Sequence, residues 1–429
     1  MTPLQDMRVL SVTVYLAGPF LSMTLARFGA EVIKVEVPGS GDPARNLGPF
    51  AGPRGIAHDR GADDVSIPFL KRSEGVKCVT LNLKDAEGRR MFLDLAKKTD
   101  VLIENLAPGS MSRLGLGYGD VSAVNPGIVY CSIAGYGQSG PYKDLPAHDH
   151  QIQAMSGVMD MNGDPDGPPM RVGLYVADLV TPLYAALGIY GALRVKERTG
   201  KGQHIDASMI DTLAALMFME PVEFVAAQGL PVRVGNRARD DVTGLYRLKD
   251  GDVFITIVNE GRWQRLCNTI GVAELIDDPR YATVALRKER LPELRDIVQA
   301  RLGRLTCEQG IAPAGECRNP GLARAWIVGS VARRAFQGAR NLAAHATLRQ
   351  HGSGRRWRPS RPTAQVLRWR ASPTRRRRRS WSTQCRGLRP PSRLGCGGAW
   401  GTESTRRGLS RATSATSPST FSGEDHIIT

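Results

Sequence analysis

From Met7 to about Ile133 the sequence alternates short apolar runs with helical patterns, and this alternation constrains the fold more than any other feature. Val9-Leu-Ser-Val12, Glu31-Val-Ile-Lys-Val35, Val79 to Leu83, Val101 to Glu104 and Ile128 to Ile133 read as strands, each too short and too β-branched for a helix. Gly18-Pro19 opens a helix that runs through Arg27 and stops at Gly29, and further helices fall at about Ala86 to Lys97 and Gly109 to Leu114. Strands separated by helices pair through crossovers, which gives a parallel sheet covered on both faces.

The fold class is therefore α/β: a doubly wound, Rossmann-like large domain over residues 1–225. Past about Ala226 the pattern changes. Leu245 to Val258 reads as two strands around an Asp250-Gly251 turn, followed by helical patterns at Arg262 to Ile270 and Pro292 to Leu305. Residues 226–305 form a smaller α+β domain. The fingerprint G-x-G-x-x-G is missing after the first strand, which argues against a nicotinamide cofactor. Gly200-Lys201-Gly202 lacks the upstream glycine and following Ser/Thr of a phosphate-binding loop.

Net charge misleads until it is mapped along the chain. The total is +17, but residues 318–429 hold 23 arginines, no lysine and only three acids, so residues 1–317 come to −3. A near-neutral body excludes a specific nucleic-acid partner. Residues 306–429 are an aberrant Arg/Ser/Pro-rich tail without a recognisable fold, with Arg375 to Arg379 unbroken and Trp357, Trp369, Trp381 and Trp400 scattered without a period. Such composition reads as a disordered basic segment, as a salt-sensitive nucleic-acid-binding arm, or, the favoured reading, as a GC-rich coding sequence translated out of frame. The seven cysteines form no C-x-x-C pair and have no histidine at ligand spacing, so no metal site is expected. The N-terminus enters a strand within ten residues, and the apolar stretch after Asp178 is short, proline-containing and acid-led. The expected location is the cytoplasm, with no membrane span.

Asp178 organises the chemistry. It follows Arg171-Val-Gly-Leu-Tyr-Val-Ala and precedes Leu179 to Leu193, a buried-helix pattern whose Pro182 places the helix start near Leu179. By position alone Asp178 is a helix N-cap, held ionised by the dipole; an ionised carboxylate beside an apolar cleft also suits a nucleophile.

Several motifs, in this order and spacing, resemble the family III CoA-transferases and their relatives, the α-methylacyl-CoA racemases. They are Leu16-Ala-Gly-Pro-Phe20, Phe28 to Glu36 with Gly39-Ser-Gly-Asp42, Val101-Leu-Ile-Glu-Asn105-Leu-Ala-Pro-Gly109 with Arg113-Leu-Gly-Leu-Gly-Tyr118, Tyr130 to Pro141, Gln153-Ala-Met-Ser-Gly157, and Asp178 with Arg198 to Asp206. The resemblance spans about residues 4–305. It implies a CoA-transferase in which Asp178 is the nucleophile, forming aspartyl anhydride and aspartyl-CoA thioester intermediates. Acyl-CoA is then a substrate rather than a bound cofactor, a free carboxylic acid is the acceptor, and the protein is an interlocked homodimer. It further implies that Asn105 and Arg113 line the CoA site, that the Gly18 turn offers backbone donors to the nucleotide, and that Tyr136 lines the acyl end. Lys77, with Gly75, is what survives of a basic phosphate-binding stretch, and Leu106 stands where relatives carry an aromatic. The competing reading is a racemase: Ala147-His148-Asp149 echoes the racemase histidine motif, and His148 with Asp178 would exchange an α-proton. A third reading is an inactive truncated family member, because no return segment of the large domain is recognisable after Leu305.

Overall fold

The structure is a computed structural model that describes residues 2–307 except 54 and 230, together with residue 309 and the strand segments 326–327 and 427–428. The expected disorder or frame shift of the tail lies outside the described residues.

The chain alternates as anticipated. Strand β1 (Arg8–Val12) leads through helix α1 (Ala17–Arg27) to β2 (Glu31–Glu36). A small antiparallel sheet of β3 (Phe50–Gly52), β4 (Gly55–Ala57) and β5 (Val65–Ser66) follows, then α2 (Ile67–Arg72) and β6 (Val76–Thr80). Helix α3 (Ala86–Ala96), β7 (Val101–Glu104), α4 (Ser110–Arg113), α5 (Tyr118–Val124) and β8 (Val129–Ala134) come next. They are followed by α6 (Asp149–Met155), α7 (Val158–Met161), the long α8 (Val176–Thr199), β9 (His204–Ser208), α9 (Met209–Met217) and α10 (Val222–Ala227).

Six strands pair in parallel in the order β9-β8-β7-β1-β2-β6, and segment 427–428 pairs in parallel with β9 at that edge. Counting only these six by chain order, the arrangement is 3-2-1-4-5-6, so the chain reverses direction between β1 and β7. Alternate strand residues face opposite layers, as period-2 geometry requires. Val9, Val101, Ile103, Val129 and Ile205 pack with Leu21 and Leu25 of α1 and Ala185, Ile189 and Ala192 of α8. Leu10, Leu102 and Tyr130 pack on the other face with Phe92 and Ala96 of α3 and Val121 of α5. A sheet buried on both faces needs apolar residues at nearly every strand position, which is why these runs were continuous in the sequence.

Two boundaries move. The strand expected at Val79 to Leu83 is Val76–Thr80; it is an edge strand whose residues from Lys77 onward are exposed, so burial left no alternation to mark its ends. Helix α8 starts at Val176, not near Leu179, which puts Pro182 in the second turn. Among the described residues α8 is the one helix long and apolar enough to cross a membrane; here it packs on α1, β8 and β9 as a core helix.

Beyond residue 240 lies a second cluster with its own core. The hairpin is β10 (Gly244–Arg247) and β11 (Asp252–Ile255), with Tyr246 opposite Val253, and segment 326–327 pairs with β11. Tyr246, Val253, Trp263, Leu294 and Val298 bury together between the hairpin and helices α11 (Glu260–Ile270), α12 (Glu274–Asp277), α13 (Val284–Glu289) and α14 (Leu291–Leu302).

Candidate active site

A cleft of about 1060 Å³ opens where the chain direction reverses, lined by Val14, Tyr15 and Ala17 after β1, Asn105 to Pro108 after β7, and Ala134 and Gly135 at the end of β8. Loops after neighbouring strands that lead helices to opposite faces diverge, and a crevice forms at their carboxyl ends. Two such loops are joined across the gap. Asn105 donates from Nδ2 to the Val14 carbonyl at 3.0 Å and accepts the Val14 N–H on Oδ1 at 2.8 Å. Gly18 sits against this joint: a Cβ there would lie 2.5 Å from Thr13 Cγ2 and 2.9 Å from Asn105 Cγ. Glu104, just below, accepts the Leu106 N–H at 2.9 Å, and burial pushes its carboxyl up to about 7.

Asp178 lines the same cleft. It is not the N-cap. Tyr175 holds that position without a side-chain bond, and Asp178 is the third residue of the helix. The first-turn N–H groups, which a helix leaves without partners, are taken instead by Asp149 of α6: its Oδ2 accepts from Ala177 at 2.8 Å and Asp178 at 3.3 Å. Gln153, fully buried one turn along α6, donates to Asp149 Oδ1 at 2.5 Å and to the Leu174 carbonyl at 3.1 Å, and accepts the Val172 N–H at 2.9 Å. Thus Asp149 and Gln153, the first residue of the Gln-Ala-Met-Ser-Gly motif, fix the entry to α8, and the Asp178 carboxylate is spared a capping role. Its charge is not favoured overall. Burial first, and the Asp149 carboxylate second, push its pKa up to about 6, with Arg72 opposing. The dipole preference anticipated for an N-cap is outweighed, yet the group remains ionised above pH 7.

Arg72 closes α2, whose first turn is capped by Ser66 and whose Phe69 is buried beneath the guanidinium of Arg45 at 3.8 Å. One turn after Phe69, Arg72 shares its inward side and donates from Nη1 to the Tyr15 carbonyl at 2.8 Å. Tyr15 holds φ +63°, unusual for an aromatic residue and a mark of imposed strain. Its N–H donates to Asp42 Oδ1 at 3.1 Å. Asp42 also accepts the Ala44 N–H and pairs with buried Lys34.

The other anticipated residues separate. Arg113 lines the cleft, exposed, steadied by Ser110 Oγ at 2.9 Å and, among the described residues, without a carboxylate partner. Gly18 does not line it; Ala17 beside it does. Tyr136 is outside the lining as well: it packs on Ile152, Ala177, Met209 and Leu213 behind the start of α8. Lys77 is not brought to the cleft. It is the second residue of β6, near the amino end of the parallel sheet, and pairs with Glu31 at 2.6 Å; the cleft lies at the carboxyl ends. His148 and His150 both line the cleft, and the His150 ring meets Tyr175 edge-on at 5.4 Å. Among the described residues no cluster could hold a metal ion.

The pattern of CoA-transferase family III matches residues 4–364. The chain belongs to CoA-transferase family III. As a family III CoA-transferase it is an enzyme, and its match runs past Leu305, where the sequence resemblance had stopped. It is 34% identical over 323 residues to a succinate–glutarate CoA-transferase of Agrobacterium fabrum, spanning 73% of this chain and 79% of that one. It is 40% identical over 284 residues to an acetyl-CoA:oxalate CoA-transferase of Acetobacter aceti, spanning 65% and 69%. The crystal structure of a CAIB/BAIF family protein from Brucella suis superposes with a TM-score of 0.65 at 33% identity, covering 74% of this chain and 83% of that chain.

Arg72, Asp149 and Gln153 carried weight that sequence reasoning did not assign. A Lys-Arg pair ending a short helix reads as solvated, and Asp149 was read only beside His148.

Proposed function

We propose that this family III enzyme moves CoA from an acyl-CoA to a free carboxylic acid by covalent catalysis at Asp178. The observation that carries the reading is a carboxylate in the cleft at the sheet reversal, relieved of capping by Asp149 and raised to about 6. A raised pKa makes a carboxylate more basic and therefore more nucleophilic, while it stays ionised at neutral pH. Asp178 attacks the thioester carbonyl; the C–S bond breaks, giving an aspartyl–acyl anhydride and CoA thiolate. The thiolate attacks the aspartyl carbonyl and expels the first acid as its carboxylate, leaving an aspartyl-CoA thioester. The acceptor carboxylate then attacks that thioester and displaces the thiolate, which attacks the acceptor's acyl carbon, forming the new acyl-CoA and regenerating Asp178. Partial burial limits hydrolysis of both intermediates. Arg113 suits a CoA phosphate, and Asn105 acts by holding the Val14 loop in place. The names of the two relatives pair or include dicarboxylic acids, so such acids are the first acceptors to offer.

The reading carries a cytoplasmic setting, consistent with Cys78, Cys131, Cys267 and Cys307 all being free thiols. It also carries a division into two parts near Ala226 and a homodimeric assembly. His148 in the same cleft supports a second reading, α-proton exchange between His148 and Asp178.

Mass spectrometry decides between them. Protein incubated with acyl-CoAs and hydroxylamine should carry a hydroxamate on Asp178, and Asp178→Ala should not. Transfer persisting in Asp178→Ala would sink the proposal, and deuterium entering the α-carbon without a covalent mark would establish the racemase.

A further inference from the structure

Arg72 lines the cleft, and CoA transfer as set out above gives it no task. Its guanidinium is partly buried, which works against its charge, while Asp178 and Asp42 support that charge. Neither carboxylate forms an ion pair with it: among the described residues Arg72 makes one hydrogen bond, to the Tyr15 carbonyl. Asp42 is already committed to Lys34, Tyr15 and Ala44. Asp178 reacts, and cannot serve as a standing counter-ion. A guanidinium with five N–H donors, one of them engaged, is thus held in a desolvating cleft without a bound carboxylate. Such a charge is costly until an anion reaches it, and the anion that matches its planar fork is a carboxylate.

We propose that Arg72 binds the non-reacting carboxylate of a dicarboxylic acid whose other end reacts at Asp178, and so sets selectivity for dicarboxylic over monocarboxylic acyl groups. The inference rests on CoA transfer at Asp178. The CoA phosphates fit Arg72 poorly, because the pantetheine arm separates them from the sulfur that must meet Asp178; exposed Arg113 and Lys143 on the cleft lining suit them better.

The test compares the full chain with Arg72→Gln and Arg72→Lys. Acceptors are matched in length, succinate against butyrate and glutarate against valerate, with one acyl-CoA donor. Calorimetry of succinate and glutarate binding runs in parallel. In Arg72→Gln the diacid-to-monoacid ratio of kcat/KM should fall by about 10- to 150-fold, the range for a hydrogen bond to a charged group, and diacid binding should weaken by a similar factor. Arg72→Lys should recover part of the ratio, since it keeps the charge and loses the fork. An unchanged ratio overturns the proposal. So does an equal fall on all four acids, which would make Arg72 a support for Tyr15 alone, and so does a loss of CoA affinity with the ratio intact. If the wild-type chain transfers no CoA, the function proposed above fails by itself. Calorimetry then still decides for Arg72: diacid binding lost in Arg72→Gln supports the assignment, and its retention or its absence from the wild type refutes it.

Discussion

Replacing Asp178 by Asn removes the charge and keeps the shape, and the structure sets the consequence for stability. The carboxyl has an ordinary value of 3.8 and is raised to about 6 in the fold, chiefly by burial and then by Asp149. At about 1.4 kcal/mol per pH unit, the ionised group costs the folded protein about 3 kcal/mol at pH 8; solvent reaching the partly buried carboxylate reduces this to about 1–3 kcal/mol. The sign follows from proton binding. The folded state holds this proton more tightly than the unfolded one, so stability is fully present below pH 3.8 and declines as pH rises to about 6, then stays level. Asp178→Asn should therefore be more stable than wild type by about 1–3 kcal/mol at pH 8 and indistinguishable from it below pH 4. Urea unfolding followed by circular dichroism at the two pH values measures the difference. A variant equal to or less stable than wild type at pH 8 would refute the reasoning, because the carboxylate would then be stabilised in place by Arg72 or by the helix end. The gain in stability should come with loss of transfer, the usual exchange at a reactive site.

Three further outcomes follow from named contacts. The transfer rate kcat/KM should drop as pH falls through about 6, about tenfold per unit below it, as Asp178 takes up its proton; a flat profile from pH 5 to 8 would remove Asp178 as the reacting base form. Gly18→Ala should cost about 1–3 kcal/mol in denaturant unfolding, because its Cβ would press on Thr13 and Asn105 in the joint between the β1 and β7 loops. Lys77→Ala should leave CoA affinity by calorimetry unchanged and alter stability by less than about 1 kcal/mol, since Lys77 pairs on the surface with Glu31 at the other end of the sheet.

The sheet was legible because burial on both faces writes itself as near-continuous apolar runs, as at Val101 to Ile103 and Val129 to Cys131. The edge strand was misplaced by three residues for the opposite reason: from Lys77 to Thr80 it faces solvent and carries no burial signal. The small sheet of β3 to β5 went unread because strands of two or three residues hold too little pattern. Asp178 stood out by its place between a loop and an apolar helix. Its partners did not, since their roles depend on contacts across long stretches of chain: 29 residues from Asp149 to Asp178 and 57 from Tyr15 to Arg72. Tyr136 was drawn into the site by its motif, whereas its ring belongs to the apolar cluster that supports the start of α8.

The reversal between β1 and β7 means that the cleft is written in two separate stretches of sequence. One, up to Arg72, brings the strained Tyr15 and the cation that holds it; the other, from Asn105 to Asp178, brings the reactive carboxylate and the groups that aim it. They meet at the Asn105–Val14 pair, 91 residues apart in the chain. On the roles proposed for Arg72 and Asp178, the choice of acid and the chemistry performed on it come from separate stretches that touch at this pair. A change in the first stretch therefore reaches the reacting carboxylate as well, because Arg72 works against the raised pKa of Asp178 and Val14 is held by Asn105.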